Sequence, residues 1–189
     1  MPRTRDPRVD DAIAAAALAL LSERGFARMS MAAVATAAGV GKPAIYRRFR
    51  DKADLVASVI AVRLPVLEAP DLGDTQAELR QAAEHGFPPD GATYVGLIGG
   101  LIAEHERHPE LIEAFRRSVL RPRREVALEL IERGQRRGDL RRDIDPEAAL
   151  ELFAGPFLAR VFAGLDTSPR WRTQAFDTWW NLLTERQRP

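Results

Sequence analysis

Apolar residues recur along this chain at helical spacing. Ile13, Ala16, Ala17, Leu20 and Leu21 form an i, i+3, i+4 stripe, the period of an amphipathic helix. Asp6-Pro7 in front of it reads as N-cap and first helical residue, and Gly25 behind it as the stop. The punctuation repeats. Ser30 opens a short second helix that ends at Gly39, and Val40-Gly41 begins a third reaching about Phe49. Asp51 caps a fourth that runs through Leu55, Val59 and Val62 toward Pro65, and Pro65, Pro70 and Gly73 mark a joint. Helices are then predicted over 74–84, 92–106, 109–119 and 122–137, with a loop around Pro88-Pro89 and a break or kink at Pro122. Asp145-Pro146 and Ser168-Pro169 repeat the cap-then-proline signature and open two strongly apolar helices, roughly 146–163 and 169–185. No segment of strand period competes, and no internal repeat appears. The predicted class is all-α.

The region 30–49 holds two short helices joined by Gly39-Val40-Gly41, the turn expected of a helix-turn-helix. At about 100° per residue, Met31, Val34, Ala35 and Ala38 gather on one face of the second helix, while Ala32, Ala33, Thr36 and Ala37 point outward. In the third helix Ile45 and Phe49 define the buried side. Arg47 lies opposite them, Pro43 and Ala44 sit beside it, and Tyr46 and Arg48 occupy the flanks. Such a narrow apolar stripe with small and basic residues outside can enter a major groove. Lys42 and Lys52 each fall in the first turn of a helix, where the macrodipole disfavours a cation. A nearby phosphate would account for both; two solvated lysines at a cost of about a few tenths of a kcal/mol would as well.

Charge sharpens the division. The 189 residues carry 28 Lys+Arg against 27 Asp+Glu, yet residues 1–52 hold ten basic and five acidic side chains, leaving 18 and 22 for the rest. A basic head on a mildly acidic body suits nucleic-acid binding. The basic residues comprise 26 Arg and two Lys, which with the many Ala points to a GC-rich bacterial genome, so arginine abundance alone is not a functional signal. Hydrophobic residues at 46% and charged ones at 29% exclude disorder as the default. The absence of cysteine excludes disulfides, thiolate catalysis and cysteine-ligated zinc. The apolar run 13–21 is too short for a bilayer, and Asp6, Asp10 and Asp11 interrupt Arg3, Arg5 and Arg8 in a way no signal peptide does. A soluble, cytoplasmic protein is expected.

Several stretches carry a family resemblance: Gly25-Phe26-Ala27-Arg28-Met29-Ser30, Val34-Ala35, Ala38-Gly39-Val40, Lys42-Pro43-Ala44-Ile45-Tyr46-Arg47-Arg48-Phe49 and Lys52-Ala53-Asp54-Leu55. Together they resemble the N-terminal domain of TetR/AcrR-family transcriptional regulators over about residues 8–60. The resemblance implies a three-helix DNA-binding domain at 1–64 and a helical effector-binding and dimerisation domain at 65–189. It implies that Tyr46 and Lys52 contact phosphates, that Ser30 caps the second helix, and that Lys42, Pro43, Ala44 and Arg47 lie along the major groove. Thr36 and Arg48 complete the expected DNA-facing set. Met29 stands where the family usually has Thr, Gly41 where Ser is common and Ala44 where Thr is frequent.

The body resembles the family more loosely, best over 133–164. Leu150, Phe157 and Val161 on one helix and Phe176, Trp179, Trp180 and Leu183 on the next are the expected dimer interface, since in the family this pair forms a four-helix contact; burial within a monomer is the other reading. An effector cavity is expected among Phe87, Tyr94, Ile98, Leu101, Ile102, Phe115, Val119, Phe153 and Phe157. His105 and His108, spaced i, i+3 beside Glu104, lack the further ligands a metal needs. Neither a phosphate loop nor a nucleophile motif is visible, so no enzyme, cofactor or metal is expected. The implied protein is a ligand-responsive repressor that binds a palindromic DNA operator as a homodimer and responds to a small-molecule effector. A helical binding module with an incidental helix-turn-helix, and an enzyme, are the rival classes.

Overall fold

The computed structural model describes residues 6–64, 67–86 and 99–184, and every regular element among them is helical. The first compact unit begins with α1 (Pro7–Arg28), capped by the Asp6 carboxylate, which accepts the Arg8 N–H at 3.0 Å. Gly25 breaks this helix at φ +71°, ψ 169°, a conformation glycine adopts without a Cβ penalty. Phe26 thereby turns back into the core. α2 (Met31–Ala37) ends in a Schellman motif: Gly39 sits at φ +67°, its N–H donates to Thr36 O, and Val40 N–H donates to Ala35 O at 2.9 Å. α3 (Lys42–Tyr46) is three residues shorter than the pattern predicts, although Arg48 and Phe49 N–H still donate to Ile45 O.

α4 (Lys52–Arg63) buries Leu55, Val56, Val59 and Ile60. Val62, which helical spacing sets in line with Leu55 and Val59, does not join the buried stripe and is 76% exposed. α6 (Pro109–Phe115) and the π-helical turn Arg116–Leu120 pack along α4, burying Leu111, Ala114, Phe115 and Val119. The described residues up to Arg63 and Gly100–Leu120 therefore form one compact unit, and the remaining described residues form another. Packing thus divides the chain differently from a single cut at 64/65. The expected break at Pro122 is also replaced: the chain passes through the wide π turn directly into α7 (Arg121–Arg137). Proline lacks an N–H and crowds the preceding turn, and a π turn just before it relaxes that crowding.

The second unit contains α5 (Thr75–Gly86), α7, α8 (Pro146–Phe162) and α9 (Pro169–Thr184). Asp74 and Asp145 cap α5 and α8 through bonds from Ala77 N–H (3.0 Å) and Ala148 N–H (3.1 Å). Its core is Leu79, Leu130, Ile131, Leu140, Ala149, Phe176, Trp179 and Leu183. α5 and α7 are joined by a fully buried carboxylate. Glu78 accepts the Leu72 N–H at 2.7 Å and two bonds from Arg137 Nη1 at 3.0 and 3.1 Å, with Arg133 at 3.8 Å. Arg133 also donates to the carbonyls of Ala69 and Pro70, so the described part of the expected joint is strapped to α7.

Gly134 allows this close approach. A Cβ there would meet Thr75 Cγ2 at 2.5 Å and Leu140 Cδ1 at 2.8 Å, and Thr75 is held by its hydroxyl bond to Asp139 (2.7 Å). Overpacking costs about 1–3 kcal/mol, against up to about 1 kcal/mol of helix propensity recovered from glycine. Gly134→Ala is expected to be net destabilising, seen as a lower urea midpoint at unchanged slope.

Candidate nucleic-acid interface

The helix-turn-helix is fixed from inside by Met31, Val34 and Ala35 on α2 and by Ile45 and Phe49 from α3 and its following turn, all buried. What this leaves outside is a continuous polar and basic face. Lys42, Pro43 and Arg47 are exposed, Tyr46 is 56% exposed, and Ala44 is half-buried beside them. Ser30 and Thr36 are exposed on α2. The Ser30 hydroxyl accepts the Ala33 N–H at 3.1 Å, and Thr36 donates to Ala32 O at 3.0 Å. Gly41 occupies the N-cap of α3 with no side-chain bond.

Two of the expected contacts have internal partners. Arg48 leaves only 12% of its side chain exposed: its Nε bonds and pairs with Asp10 on α1, and its Nη1 donates to Ala44 O at 3.1 Å. It locks α3 onto α1, a role invisible to helical spacing because Asp10 lies 38 positions away. Lys52 donates to Phe26 O at 2.7 Å and Ala27 O at 3.4 Å, with its ammonium 4.1 Å from the Phe26 ring centroid. Its cationic charge at a helix start is thereby balanced by carbonyls at the end of α1. His108 stands edge-on to the same ring at 4.9 Å, with Glu110 Oε1 3.0 Å from its Nδ1. Glu110 is held below the ordinary carboxylate pKa by a backbone N–H and then by His108, with Lys52 adding a smaller attraction. No three metal-ligating side chains converge among the described residues.

In the body the expected residues separate. Phe87, Tyr94 and Ile98 lie outside the described residues. Leu101, Phe115 and Val119 are buried in the first unit, where Ile102 is exposed. Phe153 and Phe157 belong to the second unit and line a cavity of about 270 Å³ there. The other residues of that cavity, among them Arg80, Trp171 and Arg172, carry no helical-period signal that marks them from sequence. Four of the seven expected interface residues are enclosed by their own chain. Phe157, Phe176, Trp179 and Leu183 are buried within the single chain, with Trp179 Nε1 donating to Ala149 O at 2.8 Å. Leu150 and Trp180 pack partly against that core, and Val161 is half-buried. The apolar face left outside on α8 is instead Leu152, Gly155, Pro156, Ala159 and Phe162.

Comparison with known proteins agrees with this arrangement. Residues 13–59 match the family model described as "Bacterial regulatory proteins, tetR family", and residues 69–178 the one described as "Tetracyclin repressor-like, C-terminal domain". The chain belongs to the TetR family. The HTH-type transcriptional regulator YdeS of Bacillus subtilis (strain 168) is 32% identical over 84% of this chain and 81% of its own length. The HTH-type regulator MT1607 of Mycobacterium tuberculosis (strain CDC 1551 / Oshkosh) is 26% identical over 84% and 78%. Among solved structures, the flavonoid-responsive regulator FrrA aligns with a TM-score of 0.68 and 25% identity, over 94% of this chain and 95% of that one. As a TetR-family member the protein is a helix-turn-helix regulator of transcription, not an enzyme.

Within a TetR-family head, the substitutions noted in the sequence acquire physical content. Met29 is 3% exposed and adds apolar volume to the core where a hydroxyl would need a partner. Gly41 leaves the start of α3 without a side-chain cap. Among the described residues no helix is long and apolar enough to cross a membrane.

Proposed function

We propose that the protein is a cytoplasmic, ligand-responsive repressor that binds a palindromic operator in double-stranded DNA as a homodimer. Residues 1–64 carry the DNA contacts in this reading, and 65–189 carry effector binding and dimerisation. The observation that supports it most is the exposed face of α3, where Lys42, Pro43, Tyr46 and Arg47 surround no buried function of their own. Ala44 leaves room for close approach, Ser30 and Thr36 face the adjoining backbone, and Arg48 acts by holding α3 against α1. The exposed apolar face of α8 supports the homodimer, since contiguous patches of this kind mark association surfaces. The ligand-responsive part draws on FrrA, whose name records a response to flavonoids. Regulation would then be a population shift: an effector favours a conformer whose two heads no longer suit adjacent major grooves.

Operator binding measured by fluorescence anisotropy against salt tests the reading, because phosphate neutralisation makes log K fall linearly with log salt. Tyr46→Phe is expected to weaken binding equally on cognate and unrelated duplexes, as a phosphate contact carries no base information. Lys52→Ala is expected to lower both affinity and melting temperature, since its ammonium also holds the end of α1; the salt slope should flatten by up to about one unit. An unchanged slope would reassign Lys52 to a structural role alone.

Arg47 is proposed to read a base. A guanidinium pairs bidentately with guanine O6 and N7, which is worth about 1–3 kcal/mol of discrimination. Binding-site selection with Arg47→Ala is expected to relax one base pair per half-site and leave the others unchanged. Uniformly weaker binding with an unaltered preference would place Arg47 on the backbone and leave Lys42 as the base reader.

A further inference from the structure

The cavity of about 270 Å³ in the second unit has a distinctive chemistry. Its walls are aromatic. Phe157 and Phe176 are buried, the Phe153 ring lies 6.4 Å from Phe176, and the Trp171 ring lies 6.5 Å from Phe157. Three guanidinium groups border these rings: Arg160, 4.8 Å from the Trp171 centroid, and the two that line the cavity, Arg80 and Arg172. Arg80 lies 4.3 Å from the Phe176 centroid and is bonded to Asp177 at 2.7 Å. Arg172 lies 5.1 Å from the Phe157 centroid and is oriented by donation from Nε to Thr167 O at 2.9 Å. Burial lowers the pKa of the Arg172 guanidinium, yet arginine keeps its charge in proteins. A cation that has lost part of its water gains more from a nearby anion than an exposed one does. Among the described residues, the carboxylate in the lining is that of Glu84, exposed near the end of α5.

We propose that this cavity binds a small planar aromatic compound bearing a single carboxylate, with its ring against Trp171 and Phe157 and its carboxylate on Arg172. The proposal rests on the ligand-responsive reading for its regulatory meaning and names the chemical class of that effector. Flat ring walls favour a planar ligand through offset and edge-on aromatic contacts. The Arg172 guanidinium selects a carboxylate through charge-assisted hydrogen bonding. Glu84 disfavours a second anionic group, and a cationic ligand would face both arginines. The volume lies just below the usual range of roughly 300–1,000 Å³ for ligand pockets, so one ring or two fused rings fit and an extended polycyclic compound does not.

Isothermal titration of the full chain with three probes of one shape tests this: naphthalene-2-carboxylate, naphthalene-2,6-dicarboxylate and 2-naphthylmethylammonium. The monocarboxylate is expected to saturate one site per chain, with the dicarboxylate and the ammonium each about tenfold or more weaker, the scale of one charge-assisted bond. Arg172→Met is expected to abolish the preference for the monocarboxylate over the ammonium, and Arg172→Lys to restore part of it. Equal binding of the ammonium, binding of none of the three at millimolar concentration, or an unaltered preference in Arg172→Met would overturn the assignment. The probe series on the wild-type chain decides the matter even if Arg172→Met fails to fold. Operator anisotropy with the same probes separates the two readings. Saturable naphthoate binding without any change in operator affinity would sink the effector role and leave the cavity chemistry standing. Operator release by a different class of compound, with no naphthoate binding, would overturn the cavity chemistry and keep the effector role.

Discussion

Glu78→Ala is expected to destabilise the protein by about 3–5 kcal/mol, the cost of breaking a buried ion pair by removing one partner. Glu78 is fully buried and takes bonds from both Arg137 and the Leu72 N–H. Alanine would leave Leu72 N–H without its acceptor and take from Arg137 and Arg133 their buried carboxylate, with the exposed Asp71 still facing both. A marginal total of about 5–15 kcal/mol makes such a loss large, so the variant should melt well below the wild type or accumulate as insoluble protein. Glu78→Gln keeps an acceptor for Leu72 N–H and should lose less. Thermal and urea denaturation of the two variants would check the order. A Glu78→Ala chain as stable as the wild type would show that α5 and α7 are held by their apolar contacts alone.

The double variant Leu152→Glu with Phe162→Glu is expected to give a folded monomer whose operator affinity falls by about 100-fold or more, the usual scale of lost bivalency. Both side chains project from α8, at 59% and 61% exposure, so glutamate meets water in the isolated chain and repels its counterpart only in a dimer. In the proposed homodimer two heads engage one palindrome with half-sites about one helical turn or a multiple apart, and a monomer forfeits one of them. Analytical ultracentrifugation and anisotropy would report the two effects together, with circular dichroism confirming the fold. A persistent dimer would move the interface off this face. Phe157→Glu serves as the contrast: that ring lies inside the chain's own second unit, so the substitution should unfold the protein rather than dissociate it.

Local chemistry was legible in the sequence because it acts over a few residues. Asp6-Pro7, Ser30, Gly39, Asp74 and Asp145 start or stop their helices where caps and a left-handed glycine require it. The buried stripe of α2 and α3 follows from their period alone. The same reasoning misplaced side chains whose fate depends on distant partners. Helical spacing reports which residues share a face, but not whether that face meets its own chain, another chain or water. So Phe157, Phe176 and Trp179 belong to the core of one chain, and the outward apolar face of α8 is made of Leu152, Gly155, Pro156, Ala159 and Phe162. Asp10 engages Arg48, and the carbonyls of Phe26 and Ala27 engage Lys52, across 38, 26 and 25 positions; no local pattern encodes such pairs. Caps, turns and amphipathic faces were determined by sequence, because their partners are neighbours along the chain. Which basic residues stay outside, which apolar face stays open and which rings enclose a cavity were decided by tertiary packing, because each depends on what arrives from elsewhere in the fold.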